Sequence, residues 1–301
     1  MYKRILVPLD GSTFAEASLP LALTLARKTS AGLHLVSVVE PIPAFAYAEW
    51  EPAALDWSTK YLDSVAERVG ESAAGEVTTA VHSGRVVETL HREVASLDVD
   101  LVVMATHGRG TLSRAWLGSV ADAFMRESTV PVLYVRPEEG AAPAPEPASG
   151  FETILVPLDG SELSESALAH ATEFGELFGS AYHLTRVVAY PLDIASPYLP
   201  HTVQMNADIL AEAKDSAAEY LEERADQMRR RGLRVTASVA VDPQAAHGIL
   251  AEAGAVGCDL ISMATHGRSG VGRVVLGSAA DKVLRGTHVP LLLYKPPKIP
   301  A

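Results

Sequence analysis

Cysteine and aromatic residues are scarce in this sequence. Cys258 is its only cysteine, and Phe, Trp and Tyr make up 6% of the 301 residues. A single cysteine excludes an internal disulfide framework and favours a reducing compartment. No apolar run is long enough to span a bilayer without meeting charged or turn residues, and the first residues lack the pattern of a secretory signal. We therefore predict a cytoplasmic protein with no membrane partner.

Positive charge is also in short supply. The chain has 25 Lys and Arg residues against 37 Asp and Glu residues, which gives a formal net charge of −12. Because nucleic-acid backbones are bound by clustered Lys and Arg, this balance argues against a nucleic-acid partner. With 48% hydrophobic residues, the composition is that of a globular protein long enough for two domains of ordinary size.

The sharper catalytic and metal-binding motifs are missing as well. The sequence contains no G-x-x-x-x-G-K-[ST], H-E-x-x-H, C-x-x-C or G-x-S-x-G, each of which indicates a particular chemistry. From the residues alone we therefore assign no catalytic residue and no metal ligand.

The chain contains two copies of one pattern. Ile5–Ser12 is identical to Ile154–Ser161, at an offset of 149 residues. Later motifs repeat at an offset of 159, so the second copy has ten extra residues, which we place near Pro191–Met205. Residues 138–150 are rich in Pro, Ala and Glu and lack apolar periodicity, which is typical of a linker. We predict a domain at 1–137, called the first half, and a domain at 151–297, called the second half.

The most specific motif is a glycine-rich segment that occurs in both halves. Met104–Arg109 and Met263–Arg268 both read Met-Ala-Thr-His-Gly-Arg, and Gly-Ser follows at Gly118 and at Gly277. Each segment comes after a β-branched apolar run and before Ser-x-x-Asp, a signature of a helix start. A strand, a glycine loop and a helix N-terminus in this order turn backbone N–H groups toward an anion. The pattern predicts a phosphate site in each half.

The charges of the two loops favour the same interpretation. Each loop carries two arginines at matching offsets, Arg109 and Arg268 among them, and no acid. In an acidic protein this prepares the loop for a small anion. The alternative is a solvated surface loop, in which Ser119 and Ser278 cap the following helices and bind nothing.

Two further pairs of residues have open roles. Asp10 and Asp159 end the first strand of each half, where a carboxylate either forms an Asx turn or accepts hydrogen bonds from ribose hydroxyls. His107 and His266 lie in the glycine loops, where an imidazole either donates to phosphate or acts as an acid or base. Because neither histidine has a partnered carboxylate in the pattern, catalysis is the weaker alternative.

These residues carry a resemblance to the ATP-binding universal stress proteins, whose pattern is G-x2-G-x9-G-[ST]. Alanine stands at its first glycine, at Ala105 and Ala264. Both halves match its second and third glycines and its hydroxyl residue: Gly108, Gly118 and Ser119, with Gly267, Gly277 and Ser278. Apart from the linker, the whole chain resembles a tandem universal stress protein.

The resemblance implies an ATP site in each half, with or without Mg²⁺. By similarity, Asp10 and Asp159 take the ribose, and the backbone of Val38 and Val187 meets the adenine. The full set that the resemblance implies is Pro8, Asp10, Val38, Ala105, His107, Gly108, Arg109, Gly118, Ser119 and Val120, with Pro157, Asp159, Val187, Ala264, His266, Gly267, Arg268, Gly277, Ser278 and Ala279. It further implies a stress-response regulator whose two domains pair, a homodimer, and a regulatory protein partner.

The predicted fold is α/β. Strand and helix patterns alternate, which predicts right-handed crossovers and a parallel sheet covered on both faces. We expect two doubly wound domains, each with a five-stranded parallel sheet in the order 3-2-1-4-5. In the first half we predict strands at 4–9, 33–39, 76–81, 101–104 and 130–135 and helices at 12–29, 55–69, 86–96 and 119–126.

Two rival functions stay open at this point. One is a slow ATPase or phosphotransferase that uses His107 or His266. The other is a nucleotide-free interaction scaffold in which the glycine loops are only turns.

Overall fold

The computed structural model describes residues 2–41, 50–106, 118–137, 150–189, 202–265 and 277–295, with side chains from residue 207 onward in the fifth range. The chain divides into two compact units, Met1–Gly150 with Leu292–Ala301, and Phe151–Leu291. Most of the predicted linker and residues 191–201 of the predicted extra segment lie outside the described residues.

Strands and helices alternate through the first half, as predicted. They are β1 (Arg4–Pro8), α1 (Thr13–Glu16), α2 (Leu19–Thr29), β2 (Gly32–Val39), α3 (Trp50–Gly70), β3 (Val77–Ser83), α4 (Val86–Ser96), β4 (Leu101–Ala105), α5 (Ser119–Glu127) and β5 (Val132–Val135). The strands pair in parallel in the order β3-β2-β1-β4-β5. This confirms the predicted strand order, with the first and fourth strands as neighbours.

The second half repeats the arrangement. Its elements are β6 (Thr153–Pro157), α6 (Glu162–Glu176), β7 (Ala181–Val188), α7 (Thr202–Arg229), β8 (Val235–Val241), α8 (Ala245–Val256), β9 (Leu260–Ala264), α9 (Ser278–Gly286) and β10 (Leu291–Tyr294). The strand order is β8-β7-β6-β9-β10, the same as in the first half. Both halves therefore have the predicted doubly wound α/β topology.

The prediction of one continuous helix at 12–29 is wrong. The structure has two helices there, α1 and α2, with Ala17 and Ser18 between them. Pro20 explains the break, because proline has no N–H and its ring clashes with the carbonyl four residues earlier. In the second half Ala169 stands at the equivalent position, and α6 runs without interruption. The other helices and strands of the first half lie within a few residues of their predicted bounds, although α3 begins five residues early, at Trp50.

The core of each half surrounds its parallel strands. Ile5, Leu6 and Val7 of β1 are fully buried, as are Ile154 and Leu155 of β6. Helices lie on both faces of such a sheet, so a central strand reads as a continuous apolar run rather than an alternating one. The apolar runs at the start of each half therefore identified β1 and β6 as strands from the sequence.

Two buried histidines are part of the core. His34 on β2 has Nδ1 at 2.8 Å from Thr78 Oγ1 and Nε2 at 3.2 Å from Glu93 Oε2. His183 on β7 makes the equivalent contacts, at 2.8 and 3.0 Å, to a threonine and a glutamate of its own half. Both histidines are therefore core residues whose ring nitrogens have hydrogen-bond partners.

Cys258 is buried just before β9. Burial raises the pKa of its thiol to about 11, so the thiol is protonated at neutral pH and unreactive as a nucleophile. Among the helices that the structure describes, none combines the length and hydropathy that crossing a membrane requires.

Candidate functional site

The candidate site of each half lies at the carboxyl ends of two neighbouring strands. In the first half β1 pairs with β4 through Ile5 with Leu101 and Leu6 with Val102, and β6 pairs with β9 in the same way. The winding of the sheet reverses here, because β1 leads to β2 on one side and β4 leads to β5 on the other. Open α/β sheets bind ligands at such a reversal, outside the carboxyl ends of the strands.

Helices α5 and α9 present backbone N–H groups at this reversal. In α5 the N-cap is Gly118, with φ −59° and ψ 142°, and the first N–H to donate within the helix is that of Asp122, at 3.0 Å from the Gly118 carbonyl. The N–H groups of residues 119–121 therefore have no acceptor inside the helix. Helix α9 starts in the same way, from Gly277 to Asp281 at 2.9 Å. Three amide donors and the positive end of a helix dipole are thus offered to an anion in each half.

The amide of each capping glycine is used differently. Gly118 donates its N–H to the carbonyl of Thr106 at 2.8 Å, and Gly277 donates to Thr265 at 2.9 Å. Each bond connects a threonine near the end of a strand to the glycine that begins the next helix. The capping glycines therefore hold the loop ends together, and the donors available to a ligand are the next three amides.

The alternative in which Ser119 and Ser278 cap these helices does not hold. The N-cap position belongs to the preceding glycine, without any side-chain capping bond, and each serine is the exposed first residue of its helix. The aspartate of the Ser-x-x-Asp pattern forms an ion pair with an arginine one helical turn later. Asp122 lies 3.0 Å from Arg126, and the second half has the equivalent i,i+4 pair at 3.0 Å, a spacing that brings side chains together on a helix.

Asp10 forms an Asx turn at the end of β1. Its Oδ1 accepts hydrogen bonds from the Ser12 N–H at 2.9 Å and the Ser12 hydroxyl at 2.6 Å, and Ser12 Oγ in turn accepts from the Ala15 N–H at 3.1 Å. Asp159 repeats the turn with Ser161, at 3.0 and 2.6 Å. The capping role is thus present in both halves. Because a carboxylate has two oxygens and about four acceptor positions, the turn is also compatible with a ribose contact.

The backbone of Val38 faces the same crevice. The carbonyl of Val36 accepts the Leu9 N–H at 2.8 Å, so the backbone groups of Val36 point toward β1. Backbone direction alternates with period two along a parallel strand, so the N–H and C=O of Val38 point to that side too, past the end of β1. The second half repeats this geometry around Val187.

The remaining predicted residues fall into two groups. Pro8 and Pro157 end β1 and β6, and Val120 and Ala279 are the second residues of α5 and α9. Ala105 and Ala264 end β4 and β9 and are buried. Six predicted residues lie outside the described residues: His107, Gly108, Arg109, His266, Gly267 and Arg268.

A tyrosine–glutamate pair beside the Asx turn was not predicted. The Tyr61 hydroxyl donates to Glu16 Oε1 at 3.0 Å, and Arg68 lies 2.9 Å from the other oxygen of Glu16. Tyr220 and Glu165 form the equivalent pair at 2.8 Å. The signal was available in the sequence, because both residues recur at the offsets of the repeat, but nothing in the pattern indicated that α3 contacts α1.

In the part of the chain that the structure describes, no group of three or more His, Cys, Asp or Glu side chains is arranged to hold a metal ion. The polar groups at the crevice are instead amides, carboxylates and hydroxyls, which suit a polar organic ligand with an anionic end.

Comparison with known families gives two matches to the Universal stress protein family, over residues 1–136 and 150–295. The chain belongs to this family. It is a tandem of two universal stress protein domains, as the spacing of the glycine motifs indicated.

Several relatives share this tandem over its full length. A universal stress protein of Mycobacterium tuberculosis is 28% identical over 97% of this chain and 96% of its own length. One solved universal stress protein, from Archaeoglobus fulgidus, has a TM-score of 0.71 at 20% identity and covers 97% of this chain and 98% of that chain, which shows the shared fold. The family also includes a protein solved in complex with cAMP, with a TM-score of 0.37 at 22% identity over 44% of this chain and 97% of that one.

Proposed function

We propose that each universal stress protein domain of this chain binds ATP, and that nucleotide occupancy regulates how the protein presents its surfaces to a partner. The phosphates lie at the N-termini of α5 and α9. Asp10 and Asp159 accept hydrogen bonds from the ribose. The backbone groups of Val38 and Val187 pair with the edge of the adenine.

One observation carries this proposal. Val38 lies near the carboxyl end of β2, Asp10 follows β1, and the amides of residues 119–121 begin the helix that comes after β4. These three strands lie side by side in that order. The order of these groups across the sheet matches the order of base, sugar and phosphate in a nucleotide. Neighbouring strands are about 4.8 Å apart, so the three contacts fall at intervals that one nucleotide spans. The second half repeats the arrangement.

The strength of such a site is adequate for a regulatory nucleotide. A hydrogen bond to a charged group contributes about 1.5–3 kcal/mol, and a Kd of about 1 μM corresponds to about −8 kcal/mol. Three amides, a carboxylate and an adenine edge reach that range after the entropic cost of association.

The experiment is calorimetric titration of ATP into a Gly118→Asp, Gly277→Asp double variant. Both glycines have an extended backbone, as the −59° and 142° of Gly118 show, and aspartate is a favourable N-cap, so the fold should be retained. A carboxylate placed at the anion position should abolish detectable binding. Gly70→Asp with Gly254→Asp is the matched control, because a Cβ added at either position meets nothing within 4 Å. Unchanged ATP affinity in the first variant would contradict the site.

The two rival functions have their own readouts. For a binding protein we expect no steady-state ATP turnover that is lost in a His107→Ala, His266→Ala variant, whereas a slow ATPase would lose its rate there. A nucleotide-free scaffold would carry no nucleotide. Mass spectrometry of the freshly purified and gently denatured protein should instead detect an adenine nucleotide.

A further inference from the structure

The two proposed nucleotide sites differ at one position of the second strand. Arg186 on β7 is the repeat equivalent of Ser37 on β2, at the same 149-residue offset that relates Asp159 to Asp10. Ser37 is buried, with 4% of its surface exposed. The second half therefore has a guanidinium where the first half has a small hydroxyl.

The guanidinium of Arg186 lies against the turn that carries Asp159. Its Nη1 is 3.2 Å from the point where a Cβ on Gly160 would stand, and Gly160 follows Asp159 directly, with φ +87°. On its other side, Cζ of Arg186 lies 5.2 Å from the centroid of the Tyr220 ring. A cation over an aromatic face is held by electrostatic attraction, so the ring and the glycine turn fix the guanidinium beside Asp159.

Glu165 does not neutralise this arginine. Glu165 accepts the Tyr220 hydroxyl at 2.8 Å and forms its ion pair with Arg224 at 3.0 Å. Among the described residues, no carboxylate lies within ion-pair distance of Arg186. Its five donors are thus suited to an anion supplied by a ligand.

The topology decides which anion that is. Arg186 is on β7, whereas the amides of α9 follow β9, and β7 and β9 flank β6 on opposite sides. A nucleotide whose 5′-phosphates meet α9 therefore has its sugar and base, not its phosphate chain, on the side of Arg186. In dinucleotide-binding folds a carboxylate takes a free ribose 2′-hydroxyl, whereas an arginine nearby accommodates a 2′-phosphate. A nucleotide with one ribose phosphate keeps its other ribose hydroxyl as a donor to Asp159.

We propose that the second domain, and not the first, binds adenine nucleotides that carry a phosphate on the 2′ or 3′ oxygen of the ribose, with Arg186 as the residue that determines this specificity. The inference rests on the proposed function, because it takes the nucleotide orientation from that site.

The test compares AMP with adenosine 2′,5′-bisphosphate and adenosine 3′,5′-bisphosphate, which differ from AMP by one ribose phosphate. Calorimetry on the full chain carrying Gly118→Asp isolates the second domain, and Gly277→Asp isolates the first. We expect at least one bisphosphate to bind the second domain about tenfold more tightly than AMP, a difference of about 1.4 kcal/mol. The first domain should show no such preference.

Arg186→Ser, which restores the residue of the first domain, should remove the preference and leave AMP binding nearly unchanged. Arg186→Lys should retain part of it, because the charge remains and the planar fork is lost. Arg231→Ser removes an exposed arginine that lies two residues beyond the end of α7. This control should leave the ratio of bisphosphate to AMP affinity unchanged. A wild-type ratio near one, or equal loss of AMP and bisphosphate binding in Arg186→Ser, would overturn the inference while the proposed function stands. Absence of binding by ATP as well as by these probes would remove both.

Discussion

The hydroxyl of Tyr61 donates a 3.0 Å hydrogen bond to Oε1 of Glu16 and so connects α3 to the helix that follows the Asp10 turn. The ring also stacks on Trp57, with centroids 5.4 Å apart. Tyr61→Phe keeps the stacking and removes only the hydroxyl. A hydrogen bond to a charged acceptor contributes about 1.5–3 kcal/mol, discounted here because Glu16 keeps its contact with Arg68.

We therefore expect Tyr61→Phe to lower the free energy of unfolding by about 1 kcal/mol. Urea denaturation followed by circular dichroism measures this value. Tyr220→Phe is the paired variant, since its hydroxyl donates to Glu165 at 2.8 Å. No loss of stability in either variant would mean that the glutamates are equally well solvated without the tyrosines.

The break between α1 and α2 yields a second prediction. Ala169 is exposed and lies inside the continuous helix α6, so Ala169→Pro removes a helix hydrogen bond without disturbing the core. We expect a loss of about 3 kcal/mol. Pro20→Ala is the control, because the first half already has its chain break and should change by less than about 1 kcal/mol. Thermal and urea unfolding of both variants test the difference. Equal costs would show that Pro20 is not the cause of the break.

Which features the sequence revealed depends on how local their causes are. The buried strands and their order followed from apolar runs and the repeat, because central parallel strands are covered on both faces. The helix break was missed although its cause is local. Pro20 cannot continue a helix, but the apolar residues around it recur at helical spacing and indicated one continuous helix. The cap at Gly118 was missed because Ser-x-x-Asp resembles a capping box. The contact of Arg186 with Tyr220 joins two elements distant in sequence, and no periodic pattern indicates such a contact.

A half-buried histidine predicts how stability depends on pH. His91 on α4 stacks on Phe124 at 4.3 Å, and its Nε2 is buried without a hydrogen-bond partner among the described residues. Burial lowers the pKa of His91, so the native state favours the neutral ring. The unfolded chain then binds more protons, and stability falls as pH drops below the ordinary histidine value of about 6.5.

The second half has Leu250 at the equivalent position, so His91→Leu should fit. We expect the variant to be at least as stable as the wild type at pH 8, and its advantage to widen as the pH falls to 5. Urea denaturation at several pH values measures this. His288→Gln, at an exposed position, should leave the slope unchanged. A constant difference between His91→Leu and the wild type across this range would contradict the assignment.

The Asx turn at Asp10 separates a structural role from a ligand role. Asparagine also forms Asx turns, so Asp10→Asn should keep the bonds to Ser12 and change stability by less than about 0.5 kcal/mol, whereas Asp10→Ala should cost about 1 kcal/mol through the lost turn. The charge is a different matter, because hydrogen bonds from ribose hydroxyls are stronger to a carboxylate than to an amide oxygen. In a Gly277→Asp background, where the first domain is the remaining site, Asp10→Asn should weaken ATP about tenfold.

The same variant should hardly change the binding of 2′,3′-dideoxy-ATP, which has no ribose hydroxyls to donate. Calorimetry with both nucleotides therefore gives the coupling between Asp10 and the ribose directly, as a double-mutant cycle does between two residues. If Asp10→Asn weakens both nucleotides equally, Asp10 acts on the ligand only through the turn that begins α1. If it weakens ATP alone, the carboxylate that caps α1 through Ser12 also contacts the sugar, and the local geometry of β1 and the chemistry of the site depend on the same side chain.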